Sequence, residues 1–569
     1  MKHLITSALP YANGPIHFGH IAGVYLPADI YTKHRKLKGE QCMHISGSDE
    51  HGVAIMQNAQ KAKKTYKEYV DEWHKNHAEL LGSYGVEFDF FGQTSAEYHK
   101  EEVLDWFKVL HEKGFIEKRA EDQLQCQDCN NYLPDRYVEG TCYVCDYEEA
   151  RGDECPNCGE WINAVKLIKP TCKFCESKNI EVKSVDQWYL VLSKYHKEFR
   201  EWFDTVSPDW RKTVSSFVDS LTKEEMVDRA ITRDLDWGID VPLDEAKGKK
   251  LYVWFDAPIG YVSNTKEFLK QSGSTDDYLK DWWESDDTQI TNFIGKDNII
   301  FHAIIFPMMS LASGKAHAVK SLPANQYVNL EGKQFSKSKG WYVDADKAVN
   351  EFGSDALRYY LTTLIPESSD SSFTWEGFEA KINNELANNI GNFVNRCLTF
   401  FYKNWTDGIE GDKFLSFFES TAFSDMQTRV KEINNSLDKV QIKKALEQIM
   451  ALGQVANVFF SDRAPWAQIK EDDNAAQETI AHSAIYALTL ACLFTPYLPT
   501  LSGKIKEYFG ELDQELIKDI YVGDFSLLKD FVSSGVALKK KPKGLVQKIE
   551  NDRIKELVEE LKEKAKQES

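Results

Sequence analysis

Between Cys126 and Cys175 the chain places eight of its eleven cysteines, all in C-x-x-C pairs: CQDC, CYVC, CPNC and CKFC. No other stretch restricts the fold as strongly. A tight C-x-x-C turn presents two thiolates on one side, and two such knuckles complete a tetrahedral, all-thiolate zinc site. The gaps between successive pairs are 12, 9 and 13 residues, within range for two-knuckle sites. Eight cysteines therefore predict two zincs, and sequential, interleaved and nested pairings are all open. Four thiolates leave no free coordination position, so the metal serves folding and rigidity rather than catalysis. Redox use of the pairs would need a thioredoxin-like βαβ context, which this segment lacks. Disulfides are out of place in a large chain without an export signal. Cys42, Cys397 and Cys492 lie apart and read as small buried apolar residues.

The cysteine-rich run interrupts an α/β pattern. ITSALPY reads as strand then turn, and IAGVYLPADIYTKHRKLKG as an amphipathic helix. QCMHISGSDEHG follows as strand and Gly-bearing loop, and Val53–Tyr84 as helix. Alternation of this kind implies right-handed crossovers and a doubly wound parallel sheet. The pattern resumes in KLYVWFDAPIGY and QITNFIGKDNIIFHAIIFPMM, each read as strand followed by helix. NQYVNLEG then leads into the lysine- and serine-rich KQFSKSKG, and from about Asn383 to Phe531 the spacing is helical throughout.

A chain of 569 residues holds several domains. The expected division is 1–115, first half of a Rossmann-like domain; 116–229, an insertion with the knuckles; 230–325, the second Rossmann half. A linking segment with the lysine loop, 326–382, then precedes an all-α domain, 383–535, and a linker with a charged amphipathic helix, 536–569.

Net charge is 69 − 89 = −20, which argues against indiscriminate binding of nucleic acid but not against a selective partner met by local grooves. No run of about 18 uncharged apolar residues exists to cross a membrane. MKHLITSALPYANG is too polar for a signal peptide and reads as a first strand, His3–Leu9, so a cytoplasmic location is expected.

Two short motifs carry chemistry. HFGH, His17 to His20, follows the first strand at the junction where a doubly wound fold binds phosphates. Its imidazoles at i and i+3 share one helix face, and Gly19 allows a flat group to approach the backbone. FSKSKG, Phe335 to Gly340, alternates serine and lysine in the manner of a phosphate-grasping loop.

With these two elements in this order, the chain resembles the class I aminoacyl-tRNA synthetases, and among them most closely the methionyl-tRNA synthetase family. HFGH stands where that family has HIGH, and FSKSK where it has KMSKS. GSDEHG, LPDRYVEGTC, ITRDLDWG, YVWFDAPIGY, FIGKDNIIFH, SDALRYYL and DRAPW extend the likeness over nearly the whole chain. The resemblance implies a Rossmann catalytic domain split by the zinc-knuckle module, followed by an all-α anticodon-binding domain. It implies joining of L-methionine to tRNA(Met) through methionyl-adenylate, with ATP and its Mg2+ as co-substrates.

It also implies roles for residues. His17 and His20 contact the ATP phosphates across Gly19, and Lys337 stabilises the leaving pyrophosphate, with Ser336 and Ser338 shaping the loop. Gly295 and Asp297 hold the ribose. Asp49, supported by Arg233, meets the methionine ammonium. Leu9, Tyr11, Trp254, Ala257, Tyr261 and His302 line the side-chain pocket, where aromatic walls including Phe306 suit a polarizable thioether. Homocysteine is cleared by cyclisation at the synthetic site. Trp466 stacks on an anticodon base, and Asn392 and Arg396 make further anticodon contacts. Cys142, Cys145, Cys155 and Cys158 share one zinc; Cys126, Cys129, Cys172 and Cys175 share a second in nested order.

The chain departs from the family pattern at the loop: Gln334 replaces the first lysine and Phe335 the methionine, with Lys333 one place early. Another class I synthetase is the nearest alternative, but the branched-chain enzymes need a long editing insertion where this chain has knuckles. A non-catalytic zinc-knuckle RNA-binding protein would be expected to lack the histidines or Lys337. Some relatives carry a further C-terminal dimerising domain, and without one a monomer is expected.

Overall fold

Strand β1, Lys2–Ser7, buries every side chain from His3 onward, the mark of a strand covered on both faces. It is followed by β2, Gln41–Ser48, and β3, Phe90–Gln93. The insertion opens with β4, Ile116–Cys126, and closes with β5, Ile180–Leu190. Beyond it come β6, Thr288–Gly295, and β7, Ala324–Asn325. This is a computed structural model, and it describes residues 1–569 apart from 134–136, 153–154, 160–161, 225, 318, 337–339 and 568–569.

The central sheet has the order β7-β6-β1-β2-β3, and every neighbouring pair is parallel. Leu4 of β1 lies opposite Met43 on one side and Ile290 on the other. The chain moves outward from β1 to β3, makes its long insertion, and returns on the far side at β6. That reversal of direction beside β1 opens a crevice at the carboxyl ends of the strands, where doubly wound sheets bind ligands. HFGH and IGKD leave β1 and β6 at that end.

The insertion is built on an antiparallel ribbon in register from Ile116–Leu190 to Cys126–Ile180, so its far end carries the knuckles away from the sheet. Two sequence readings are corrected. Residues 53–84 form two helices, Val53–Lys61 and Tyr66–Ser83. Lys63 takes φ 55° between them, and Thr65 with Glu68 forms a capping box that restarts the helix. In KLYVWFDAPIGY only Lys250–Leu251 is strand; Val253–Asp256 is a helical turn. Burial of Phe255 and Asp256 overrides the strand preference of the VWF run.

The helical region is centred on Asp473–Phe494, buried on all sides from Thr479 onward, as expected of a helix at the middle of a bundle. Helices Ile442–Arg463 and Pro499–Phe509 pack against it, and Thr421–Asp438 packs on Ile442–Arg463. Arg358 joins the parts: fully buried, it donates to Asp29 at 2.8 Å and to the carbonyls of Tyr84, Gly85, Pro496 and Tyr497. The terminal helix Asn551–Gln567 lies on the body with Ile554 and Leu561 buried, and Arg553 pairs with Glu351. Its Lys564 carbonyl meets Gly340 so closely that a Cβ there would sit 2.6 Å away. Among the described residues no helix is long and apolar enough to cross a membrane.

Candidate active site

His17 ends the β1 loop with extended backbone and caps the helix that starts at Phe18. Its Nδ1 accepts from the Gly19 amide at 3.1 Å, while the His17 amide donates to His20 Nδ1 at 3.2 Å. Both rings therefore carry their proton on Nε2, and each can donate outward. Their centroids lie 3.8 Å apart in a stack. His20 is solvent-reachable yet surrounded by the crevice walls; that desolvation, with His77 adding a smaller repulsion, lowers its pKa to about 4. At neutral pH it is an uncharged donor. A Cβ at Gly19 would lie 2.9 Å from the His17 ring, so any side chain there would displace the imidazole. A π-helical turn, Ile21–Tyr25, follows, and Asn325 of β7 donates to its Gly23 carbonyl at 2.6 Å. The β7 end thus holds the turn that follows the histidines. On that side Gly295 has open space around it, and Asp297 accepts from the Tyr327 hydroxyl.

The loops after β1 and β2 pair through Tyr11 and Asp49, where the Ala12 amide donates to the Asp49 carbonyl at 2.8 Å. Asp49 Oδ1 is buried with no hydrogen-bond partner among the described residues. Burial, then the charge of Asp256, raises its pKa well above the carboxylate range. A buried acceptor of this kind favours a cation beside it. Tyr261 and His302 stand nearby and are fixed together. His302 Nδ1 donates to the Asn298 carbonyl at 2.9 Å, so its Nε2 accepts the Tyr261 hydroxyl at 2.7 Å. Burial holds this imidazole neutral, with a pKa of about 4. The Leu9 side chain packs beside Gly260, Trp254 meets Phe301 edge-on at 4.7 Å, and Ala257 ends the helical turn Val253–Asp256. Phe306 is fully buried and packs against Trp106 and Trp283. Arg233 lies with its guanidinium 4.2 Å over the Tyr252 ring and donates to the carbonyls of Ala230 and Thr232.

The motifs missed a pair that the structure brings together. His51 Nδ1 and Asp256 Oδ2 are 2.5 Å apart in the interior, 205 residues distant in sequence. The pair anchors the turn that carries Asp49 to the turn that carries Trp254. GSDEHG and FDAP were each visible as blocks, but nothing local links them.

At the lysine loop, Phe335 stacks on His17, so this segment does reach the histidine helix. Lys337 and Ser338 lie outside the described residues. Ser336 exchanges backbone hydrogen bonds with Trp341, and the Lys333 ammonium sits 4.7 Å over the Trp341 ring.

Away from the crevice, the cysteines gather into two groups of four: Cys126, Cys129, Cys172 and Cys175, and Cys142, Cys145, Cys155 and Cys158. Of the three pairings open from spacing, the structure takes the nested one. Sulfur separations of 3.5 and 3.7 Å in one group, 3.6 and 4.0 Å in the other, fit the roughly 3.8 Å edge of a tetrahedron with metal–sulfur bonds of about 2.3 Å. Backbone amides of Val144 and Phe174 point at Cys142 and Cys172, as they do toward thiolates. In the bundle, Arg396 lies 5.2 Å over Trp466 and 5.0 Å over Phe460, and Trp466 stays 41% exposed. Asn392 is exposed one turn earlier on the same helix.

A parallel sheet with stacked histidines at its switch point, and Phe335 of the FSKSKG segment on His17, is the arrangement expected of a class I aminoacyl-tRNA synthetase. The family model for tRNA synthetases class I (M) matches residues 3–398, and that for the anticodon binding domain of methionyl tRNA ligase matches 413–566. The chain belongs to the methionyl-tRNA synthetase family. The methionine–tRNA ligase of Protochlamydia amoebophila is 38% identical over 568 residues, 99% of this chain and 80% of that protein. The one of Pyrococcus furiosus is 39% identical over 523 residues, 90% and 72% respectively. Mycobacterium tuberculosis methionyl-tRNA synthetase, solved bound by methionyl-adenylate, shares the fold with TM-score 0.76 at 21% identity, over 96% of this chain and 100% of that one.

Proposed function

We propose that the chain joins L-methionine to tRNA(Met) in two steps within the β1–β6 crevice. Methionine carboxylate attacks the α-phosphate of ATP, pyrophosphate leaves, and the methionyl group then passes from the adenylate to the terminal ribose of tRNA. Orientation and fixed donors supply most of the acceleration for such a reaction. The observation that carries the reading is the histidine stack, whose two Nε2–H donors are set by backbone hydrogen bonds to Nδ1. They meet negative charge on the α-phosphate as it becomes five-coordinate, and as neutral donors they cost no reorganisation. Lys337, Ser336 and Ser338 receive the pyrophosphate, a reading that rests on the motif. Gly295 and Asp297 take the ribose.

Asp49, supported by Arg233, takes the methionine ammonium. Leu9, Tyr11, Trp254, Ala257, Tyr261 and His302 enclose the thioether. Each four-cysteine group holds one Zn2+, which shapes the insertion without touching substrate; Mg2+ arrives with ATP. Trp466, Asn392 and Arg396 read the anticodon, and the reaction serves translation in the cytoplasm.

Exchange of labelled pyrophosphate into ATP tests this. Signal with methionine, and none with leucine or cysteine, is expected; no signal with any amino acid would leave only a binding role. His20→Ala should slow exchange by about 10²-fold or more, as loss of a charge-stabilising donor does, while methionine affinity stays. A collapse of methionine affinity would refute the assignment of His20.

A further inference from the structure

Phe335 occupies the position where the family motif has methionine, and its ring lies flat on the first signature histidine. The centroids are 4.5 Å apart and the planes differ by 4°. His17 also stacks on His20 at 3.8 Å. Two rings cannot both lie flat on one face of an imidazole, so His17 is held between Phe335 and His20. Its Nδ1 is taken by the Gly19 amide, and turning the ring about its bond to Cβ would break that hydrogen bond. A flat hydrocarbon face on the outer side opposes that rotation.

Phe335 is itself well held. Ser336 and Trp341 exchange backbone hydrogen bonds of 2.9 and 2.8 Å, and the Trp341 indole donates to the Leu330 carbonyl at 2.8 Å. The ring is partly buried against the main core. Phe335 therefore connects backbone braced at Ser336 and Trp341 to the side chain that aims a donor into the crevice.

We propose that Phe335 is a positioning residue for adenylate formation, fixing the His17 imidazole so that its Nε2–H meets the reacting phosphate. This rests on the reading of His17 as a phosphate donor. In the full-length chain, methionine-dependent pyrophosphate exchange is compared among His17→Ala, Phe335→Leu, Phe335→Tyr and the double variant His17→Ala/Phe335→Leu. Leucine keeps the apolar bulk but lacks a flat face. It should lower kcat about threefold to tenfold, the scale of an aromatic pair, with KM for methionine unchanged, and tyrosine should restore most of that rate.

In the double variant leucine should add no further loss beyond His17→Ala. The same loss with and without His17 would show that Phe335 acts elsewhere and overturn the inference. Intact exchange in His17→Ala would instead sink the reading on which it rests. A second measurement is independent of rate: the His17 ring proton resonances should move downfield in Phe335→Leu as the ring current disappears. Unmoved resonances would overturn the stack itself.

Discussion

The buried cluster of the insertion gathers Leu124, Leu133, Tyr137, Val138, Ile162 and Leu167 around four cysteines, Cys126, Cys142, Cys155 and Cys172. In the helical bundle, by contrast, helix Asp473–Phe494 buries every residue from Thr479 to its end, with helices on all sides. Ordering a residue costs about 1–2 kcal/mol of backbone entropy, which only a large buried apolar area offsets. The bundle has that area. The knuckle half of the insertion is an antiparallel ribbon with one small three-stranded sheet, and its cysteines stand where a larger module would place leucines. Two domains of one chain therefore reach a fixed shape by different physical routes, and the difference can be tested.

Removing metal should produce the largest effect and the sharpest contrast. Structural zinc in small modules contributes on the order of 10 kcal/mol or more to folding. Metal analysis should return two zincs per chain, and chelation should abolish amide hydrogen-exchange protection in 116–190 while leaving the bundle protected. Equal loss in both regions would break the comparison; a metal content near one would remove one of the four-cysteine groups from it.

The junction comes next. Arg358→Met leaves the buried Asp29 carboxylate with Lys33 as its one cationic partner among the described residues, and takes the donor from the carbonyls of Tyr84, Pro496 and Tyr497, while Gly85 keeps Lys33. A loss of about 3–5 kcal/mol is expected in the urea midpoint, the range for one broken buried pair. An unchanged midpoint would show that apolar contacts alone hold the bundle to the sheet.

Trp466→Ala should weaken tRNA binding by about 1–3 kcal/mol, the value of one stacked base, and leave pyrophosphate exchange untouched. Because Trp466 is half-exposed, stability should barely move. A loss of exchange instead would tie this residue to the crevice rather than to the nucleic acid.

The smallest effect concerns acid. Burial disfavours charge on Asp438, but hydrogen bonds from His34 and Lys38, with the charges of His34 and Arg35, outweigh it and hold its carboxyl far below the usual range. A depressed folded pKa means that the contribution is complete above the unfolded value of about 3.9 and is lost as pH falls below it. Wild type should therefore lose stability more steeply than Asp438→Asn between about pH 5 and pH 2. Parallel curves would remove Asp438 from the ionic seam between the bundle and the helix Leu26–Leu37.

Much of this was readable before any coordinates. Alternating apolar runs gave the parallel sheet, because strand and helix periods are local properties of a few residues. C-x-x-C pairs announced thiolate sites, because two thiols at that spacing have one geometry. HFGH and FSKSKG pointed to phosphate chemistry from residue type alone. Tertiary structure decided what those signals left open: which knuckles pair, that His51 meets Asp256, that Arg358 reaches Asp29, and that Phe335 lies on His17. It also made VWF helical. Each of these depends on a partner tens to hundreds of residues away, and no local pattern carries the distance between side chains that meet only when the chain closes on itself.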